Sequence, residues 1–252
     1  MRLANTRCMG RLRVFLTGAT GRVGRVLVPA FREVYDLRTL HRRPPADCAD
    51  AVLGDLQDRD RLSALMEGCD VVVHLAAVSH EAPFVEEIVP VNIVGAYNVF
   101  QAAHQAGVRR IVFASTCHVV QFRQSQRTIA ATEPYRPETI YGVSKAFGEV
   151  LGRYYHEQFG MEFVAIRIGW LLLYDDPELR TSAFKRGIWL SPRDAVSLFR
   201  LAIERPGVGY AVVFGTSTTD REVVSLRTAR EALGYEPADD VVGLYGPRPG
   251  AA

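Results

Sequence analysis

The stretch FLTGATGRVG, Phe15–Gly24, stands between a short apolar run, Leu12 to Leu16, and a segment with Val23, Val26, Leu27, Ala30, Phe31 and Val34 at helical spacing. Strand, glycine loop and amphipathic helix in that order predict a turn that holds the phosphates of a dinucleotide. Gly18 permits the tight turn, Gly21 lets the backbone approach a pyrophosphate, and Gly24 lets helix and strand pack closely. Thr20, Arg22 and Val23 complete the loop, where free amides at the helix start face the anion. Pro29 falls inside this helix. An interior proline costs about 3 kcal/mol, so a kink is expected there.

Outward from the loop, short apolar runs alternate with amphipathic segments. The expected strands are Leu12 to Leu16, Leu37 to Leu40, Val52 to Leu53, Val71 to Leu75, Arg110 to Ala114, Phe163 to Arg167 and Ala211 to Phe214. Several are apolar throughout, as parallel strands buried on both faces are. Helices are expected over Asn92 to Ala106, ended by Gly107, and over Tyr141 to Phe159, ended by Gly160, each with glycine where a left-handed cap is wanted. A third begins at Ser191-Pro192-Arg193-Asp194, with a serine cap, proline in the first turn and an acid at the positive end. The fold class is α/β, a Rossmann-type doubly wound parallel sheet with a small C-terminal substrate-side region. Residues 1–10 are expected to be a flexible N-terminal extension and 11–252 a single domain, with substrate-side insertions near 121–137 and 169–190.

Composition narrows the classes. Hydrophobic residues make up 48% of the 252 and charged ones 23%, which excludes disorder, and a net charge of +2 gives no reason to expect a nucleic-acid partner. No apolar run approaches the roughly 20 residues of a membrane span, so no membrane partner is expected. Cys8, Cys48, Cys69 and Cys117 lack metal-ligand spacing, and the N-terminus lacks a signal-peptide pattern. A cytoplasmic protein without a metal follows as the expectation. Of the 30 basic side chains only Lys145 and Lys185 are lysines, so a lysine here is informative.

Lys145 follows Tyr141 in YGVSK, and four residues on a helix place both on one face. An ammonium there can stabilise a phenolate and reach a cofactor ribose. Arginine, with its charge spread over a planar fork, is not equivalent. Thus Tyr141 is the candidate general base and Lys145 its partner. A different signal comes from LRTLHRRPP, Leu37 to Pro45, about twenty residues past the glycine loop. An acid at the end of the second strand would hold the ribose hydroxyls of NAD, whereas arginine suits the 2′-phosphate of NADP. His41, Arg42 and Arg43 stand there instead of an acid, so NADP is expected over NAD.

The glycine loop followed by YGVSK resembles the extended short-chain dehydrogenase/reductase superfamily, the NAD-dependent epimerase/dehydratase family, over nearly the whole chain. The resemblance implies that Asp55 and Leu56 contact the adenine, that Leu75, Ala76, Ala77 and Ile168 line the cofactor, and that Asn92 supports the active-site helix. It implies also that Ser115 and Thr116, ending RIVFAST, bring a hydroxyl to Tyr141. HLAAVSHEAPFVEEIVPVNIVGAYNVFQAA, RIVFASTCHVV, YGVSKAFGEVLGRYYHEQFG, RIG, WLSPRDAVSLFRLAI and LGYEP are similar to stretches of uronate dehydrogenase-like sugar dehydrogenases. That likeness implies oxidation of an aldose or uronic acid at its anomeric carbon to a lactone. Ser79, Thr116 and His118 match sugar-contacting positions, and Arg180, or alternatively Arg186, would hold a carboxylate.

Two residues depart from that pattern. Cys117 replaces an asparagine, and a thiol is a poor substitute for a hydrogen-bonding amide. Trp170 replaces a small residue and would reshape the pocket. The resemblance implies a homodimer through the two long helices. A nucleotide-sugar epimerase or dehydratase uses the same dinucleotide loop and Tyr/Lys pair, but only a short stretch of chain follows Lys145 to cover a nucleotide handle. A non-catalytic dinucleotide sensor is the remaining alternative, and it has no need of a proton-transfer set.

Overall fold

The computed structural model describes residues 10–43, 48–123 and 125–247. The extension expected over residues 1–10 falls outside these except for Gly10. Seven parallel strands form the central sheet: β1 Arg13–Thr17, β2 Asp36–His41, β3 Ala51–Leu53, β4 Val71–His74, β5 Arg110–Thr116, β6 Glu162–Ile168 and β9 Tyr210–Gly215. Their order is β3-β2-β1-β4-β5-β6-β9, every neighbouring pair being parallel. The chain reverses direction across the sheet between β1 and β4. In such sheets ligands bind beyond the carboxyl ends of the strands at that switch point.

Helix α1, Arg22–Val34, begins on Gly21 with no side-chain cap and runs through Pro29. Its buried Leu27 and Phe31 pack one face of the sheet together with Leu198 and Phe199 of α7, Pro192–Glu204. Ser191 caps α7 as expected, its hydroxyl accepting from the Asp194 N–H. The other face is covered by α2 Arg59–Met66, α3 Gly95–Gln105 and α4 Ile140–Phe159. There Phe100, Phe113, Phe163 and Tyr155 form an aromatic cluster at centroid spacings of 5.6 to 6.1 Å. Gly148 and Gly152 present no Cβ towards Phe113 and Phe163, which lets α4 lie directly on β5 and β6.

One expected helix has a different start. Asn92 lies not at a helix beginning but in a π-wound segment, Phe84–Val94, that leads into α3 and contains Pro90. Gly95 N–H donates i→i+5 to the Pro90 carbonyl, while Pro90 itself has no N–H to give to the preceding turn. Periodicity at 3.6 residues cannot announce such a turn. A two-stranded sheet, β7 Trp170–Leu171 with β8 Trp189–Leu190, and the short helices α5 Glu178–Thr181 and α6 Ala183–Arg186 occupy the stretch expected as a substrate-side insertion. Two further short helices, α8 Arg227–Leu233 and α9 Val241–Tyr245, lie towards the C-terminal end. No described helix is long and apolar enough to cross a membrane.

Candidate active site

The Gly18 backbone adopts φ +78°, and a Cβ there would stand 2.6 Å from the Ala76 nitrogen. At Gly24 a Cβ would strike the carbonyls of Gly18 and Ala19. Gly18 is therefore required by conformation and by contact, and Gly24 by contact alone. The start of α1 has no side-chain cap, and it lies at a cleft of about 780 Å³ lined by Gly18, Thr20 and Gly21, by Leu75 to Val78, and by Asp55 and Leu56. This cradle fits a dinucleotide pyrophosphate.

His41, Arg42 and Arg43 line the far end of the same cleft. His41 is buried and its Nε2 lies 2.9 Å from Thr39 Oγ1. Thr39 donates to Asp50, which is paired with Arg32 at 2.7 Å. The acid absent from the end of β2 thus stands one layer back, neutralised by Arg32. Arg42 and Arg43 are exposed and make no ion pair among the described residues.

A second cavity of about 610 Å³ shares Gly18, Gly21, Leu75 and Ala77 with the first. Arg22, Val23, Gly24, Ser79, Thr116, His118, Tyr141, Lys145 and Ile168 all reach it, so residues from five separated stretches of sequence converge. Thr139 caps α4 by accepting the Gly142 N–H at 2.9 Å, which sets the start of the helix that carries Tyr141. Asn92 locks that helix to the loop after β4: its amide exchanges two hydrogen bonds with Val78 and donates to Ser144 Oγ at 2.9 Å.

Lys145 is buried, with Nζ 4.7 Å from the Phe113 ring centroid and 5.8 Å from that of Tyr141. Burial lowers its pKa to about 7, against the opposing pull of Glu149. The Tyr141 phenol moves the other way, pushed up by burial and then by Cys117. The expected lowering of Tyr141 by Lys145 is therefore not a property of the protein alone. Thr116 keeps its hydroxyl at the cavity, accepting weakly from the His118 N–H at 3.3 Å. Ser115 does not offer its hydroxyl to Tyr141, because it donates to the buried carboxylate of Glu149. Adjacent residues on a strand face opposite sides, which separates the two hydroxyls.

Arg180 is exposed, with its guanidinium 5.7 Å from the Tyr245 ring centroid, and does not line the cavity. Arg186 is buried and paired with Asp220 at 2.6 Å, so it too is committed elsewhere. The cations that do line the cavity are Arg22, Arg123 and Lys145. Cys117 is core, not pocket wall: it is buried and its thiol is pushed up to about 12. Trp170 does line the cavity, with a buried indole N–H. No group of three or more potential metal ligands occurs among the described residues.

Sequence reasoning missed Glu81 and Arg123 in the cavity wall, and Glu138, Glu149 and Arg167 behind it. Glu149 had a signal, since it follows Lys145 at the spacing by which Lys145 follows Tyr141. The others did not.

Comparison with known proteins agrees with this geometry. Residues 14–182 match the model of the NAD dependent epimerase/dehydratase family. The chain is 39% identical over 248 residues to the L-arabinose 1-dehydrogenase (NAD(P)(+)) of Haloferax volcanii, covering 90% of this chain and 97% of that one. It is 37% identical over 232 residues to the uronate dehydrogenase of Pseudomonas syringae pv. tomato, covering 90% and 82%. Among solved structures, uronate dehydrogenase from Agrobacterium tumefaciens superposes with a TM-score of 0.83 at 34% identity, over 92% of this chain and 86% of that one. With a parallel sheet, a glycine cradle and a converging Thr/Tyr/Lys set in place, the chain belongs to the NAD dependent epimerase/dehydratase family.

Proposed function

We propose that this protein is an NAD(P)-dependent dehydrogenase that oxidises an aldose or uronic acid at its anomeric carbon to the lactone. The observation that carries this reading is that Thr116, Tyr141 and Lys145 line a cavity continuous with the glycine cradle. When bound, the nicotinamide dinucleotide supplies the hydride acceptor. Tyr141 takes the proton of the anomeric hydroxyl as general base, and Thr116 holds that hydroxyl in line. Lys145 places a positive charge beside the developing phenolate, in a site whose burial strengthens the interaction. Ser79 and His118 hold other hydroxyls of the ring, and Arg123 takes the role first expected of Arg180 when the substrate carries a carboxylate.

Arg42 and Arg43, which have no ion pair among the described residues, favour NADP over NAD, because guanidinium groups at the ribose end of the cleft meet a 2′-phosphate with charge-assisted bonds. The active form is a homodimer. Tyr97 on α3 and Val143, Val150 and Tyr154 on α4 are large exposed apolar side chains on two neighbouring helices, a face suited to a second copy of the chain. A screen of neutral aldoses and uronates with each cofactor, followed at 340 nm, is expected to find lactone formation. A full panel without reduced cofactor overturns the reading.

A further inference from the structure

Among the described residues, three buried side-chain polar atoms have no hydrogen-bond partner: His118 Nδ1, Glu138 Oε2 and Trp170 Nε1. Such atoms are scarce in native proteins and call for an explanation. The first two face each other at 3.8 Å, on side chains that are 12% and 14% exposed. That separation is too long for a hydrogen bond. Hydrogen bonds in a functional site are often long in the free protein and tighten in the complex.

The surroundings restrict what Glu138 can do. Its backbone N–H donates to the His118 carbonyl at 3.2 Å, which ties the two residues together along the main chain. Its Oε1 accepts the backbone N–H of Arg123 at 3.2 Å. Only Oε2 is left for other work, and it lies between His118 Nδ1 and Arg123 Nε, the latter at 3.5 Å. The imidazole packs edge-on against Phe122, with 5.4 Å between centroids. Burial, and then the charge of Arg123, lower the His118 pKa to about 4, with Glu81 acting in the opposite sense. At neutral pH the ring is therefore neutral and carries one N–H, and the environment must choose which nitrogen holds it.

An ionised carboxylate can only accept. The nitrogen that faces it is the one that donates. We propose that Glu138 is a positioning residue that holds His118 in the Nδ1–H tautomer, so that Nε2 presents a lone pair to a hydroxyl group of the substrate in the cleft. The identity of that substrate as a sugar rests on the dehydrogenase reading, whereas the tautomer does not. A ring fixed this way accepts from a hydroxyl at one position and discriminates against a substrate with no donor there.

The substitution Glu138→Gln tests this without changing size. The amide oxygen keeps the backbone N–H of Arg123, which the main chain fixes, and the NH2 takes the place of Oε2, where the half-exposed Arg123 guanidinium can turn away into solvent. The NH2 then faces His118 Nδ1 and obliges it to accept, so the tautomer inverts. Full-length protein labelled with 15N-histidine at pH 7, with His118→Asn to assign the signal, is expected to show a protonated Nδ1 in the parent chain and a protonated Nε2 in Glu138→Gln. With the best sugar from the substrate screen, KM should rise about tenfold, with kcat and cofactor affinity within about twofold. A protonated Nε2 in the parent chain, or one tautomer in both proteins, overturns the proposal. An inverted tautomer with unchanged KM overturns its link to substrate. If no sugar is oxidised, the spectra still decide the tautomer, so failure of the dehydrogenase reading is distinguishable.

Discussion

Arg167 and Glu149 form an ion pair of 2.8 Å inside the protein, with side chains 3% and 0% exposed. Arg167 on β6 donates through both Nε and Nη2 to Glu149 on α4, and through Nη1 to the Ala131 carbonyl. Ser115 on β5 completes the carboxylate. One turn back along α4 stands Lys145, whose charged form Glu149 favours. The pair therefore joins the helix of the Tyr/Lys couple to the sheet beneath it.

Breaking one half of this pair leaves a buried charge uncompensated, at a cost of about 3 to 5 kcal/mol. Glu149→Ala is expected to lose that much in urea unfolding. The double change Glu149→Met with Arg167→Met should recover most of it, since the buried charges go together. A single substitution costing under about 1 kcal/mol contradicts the assignment.

Tyr141→Phe removes the hydroxyl and little else. A positioned general base contributes about 100- to 10,000-fold, so kcat for sugar oxidation should fall by at least about 100-fold. Cofactor affinity, measured by fluorescence titration, should stay within about twofold, because the cradle is built by the glycine loop. Unchanged turnover would remove Tyr141 from the reaction.

His74 predicts an acid limb of stability. It is fully buried, its Nδ1 is 2.7 Å from Thr17 Oγ1, and burial followed by the charge of Lys145 lowers its pKa to about 3. Between the unfolded value near 6.5 and the folded value the unfolded chain binds the extra proton, so stability falls as pH falls through that window. The contribution of this group is at most about 1.4 kcal/mol per pH unit. Replacing it, as in His74→Gln, should flatten the profile of urea midpoints between pH 6.5 and 3. An unaltered slope would show that His74 protonates without cost.

Arg42→Ala and Arg43→Ala together are expected to weaken NADP at least about tenfold and leave NAD nearly unchanged. Steady-state kinetics with both cofactors read the ratio directly. If the ratio does not move, these arginines are a solvated end of the cleft, and His41 with Thr39 and Asp50 must set the cofactor.

The order of strands and helices was legible in the chain because burial on both faces of a parallel sheet demands continuous apolar runs, and glycine marks the turns and caps. The placing of Gly18 and Gly24 at the turn, and of Tyr141 and Lys145 on one helix, was legible for a local reason: it depends on neighbours one to four residues away. The π-wound segment around Asn92 was not, since i→i+5 winding leaves no 3.6-residue signature and Asn92 is held by Val78 and Ser144, well separated in the chain. Arg180 was the expected carboxylate anchor, with Arg186 as the alternative, yet Arg180 stacks near Tyr245 and Arg186 pairs with Asp220, both partners distant in sequence. Arg123 and Glu138 entered for the same reason, folded against His118 by a loop without periodicity. The sequence by itself determined the sheet, the dinucleotide loop and the Tyr/Lys pair, because these follow from periodicity and short-range geometry. Only the tertiary structure decided which charges face the cavity and which are neutralised behind it, because that depends on partners far apart in the chain.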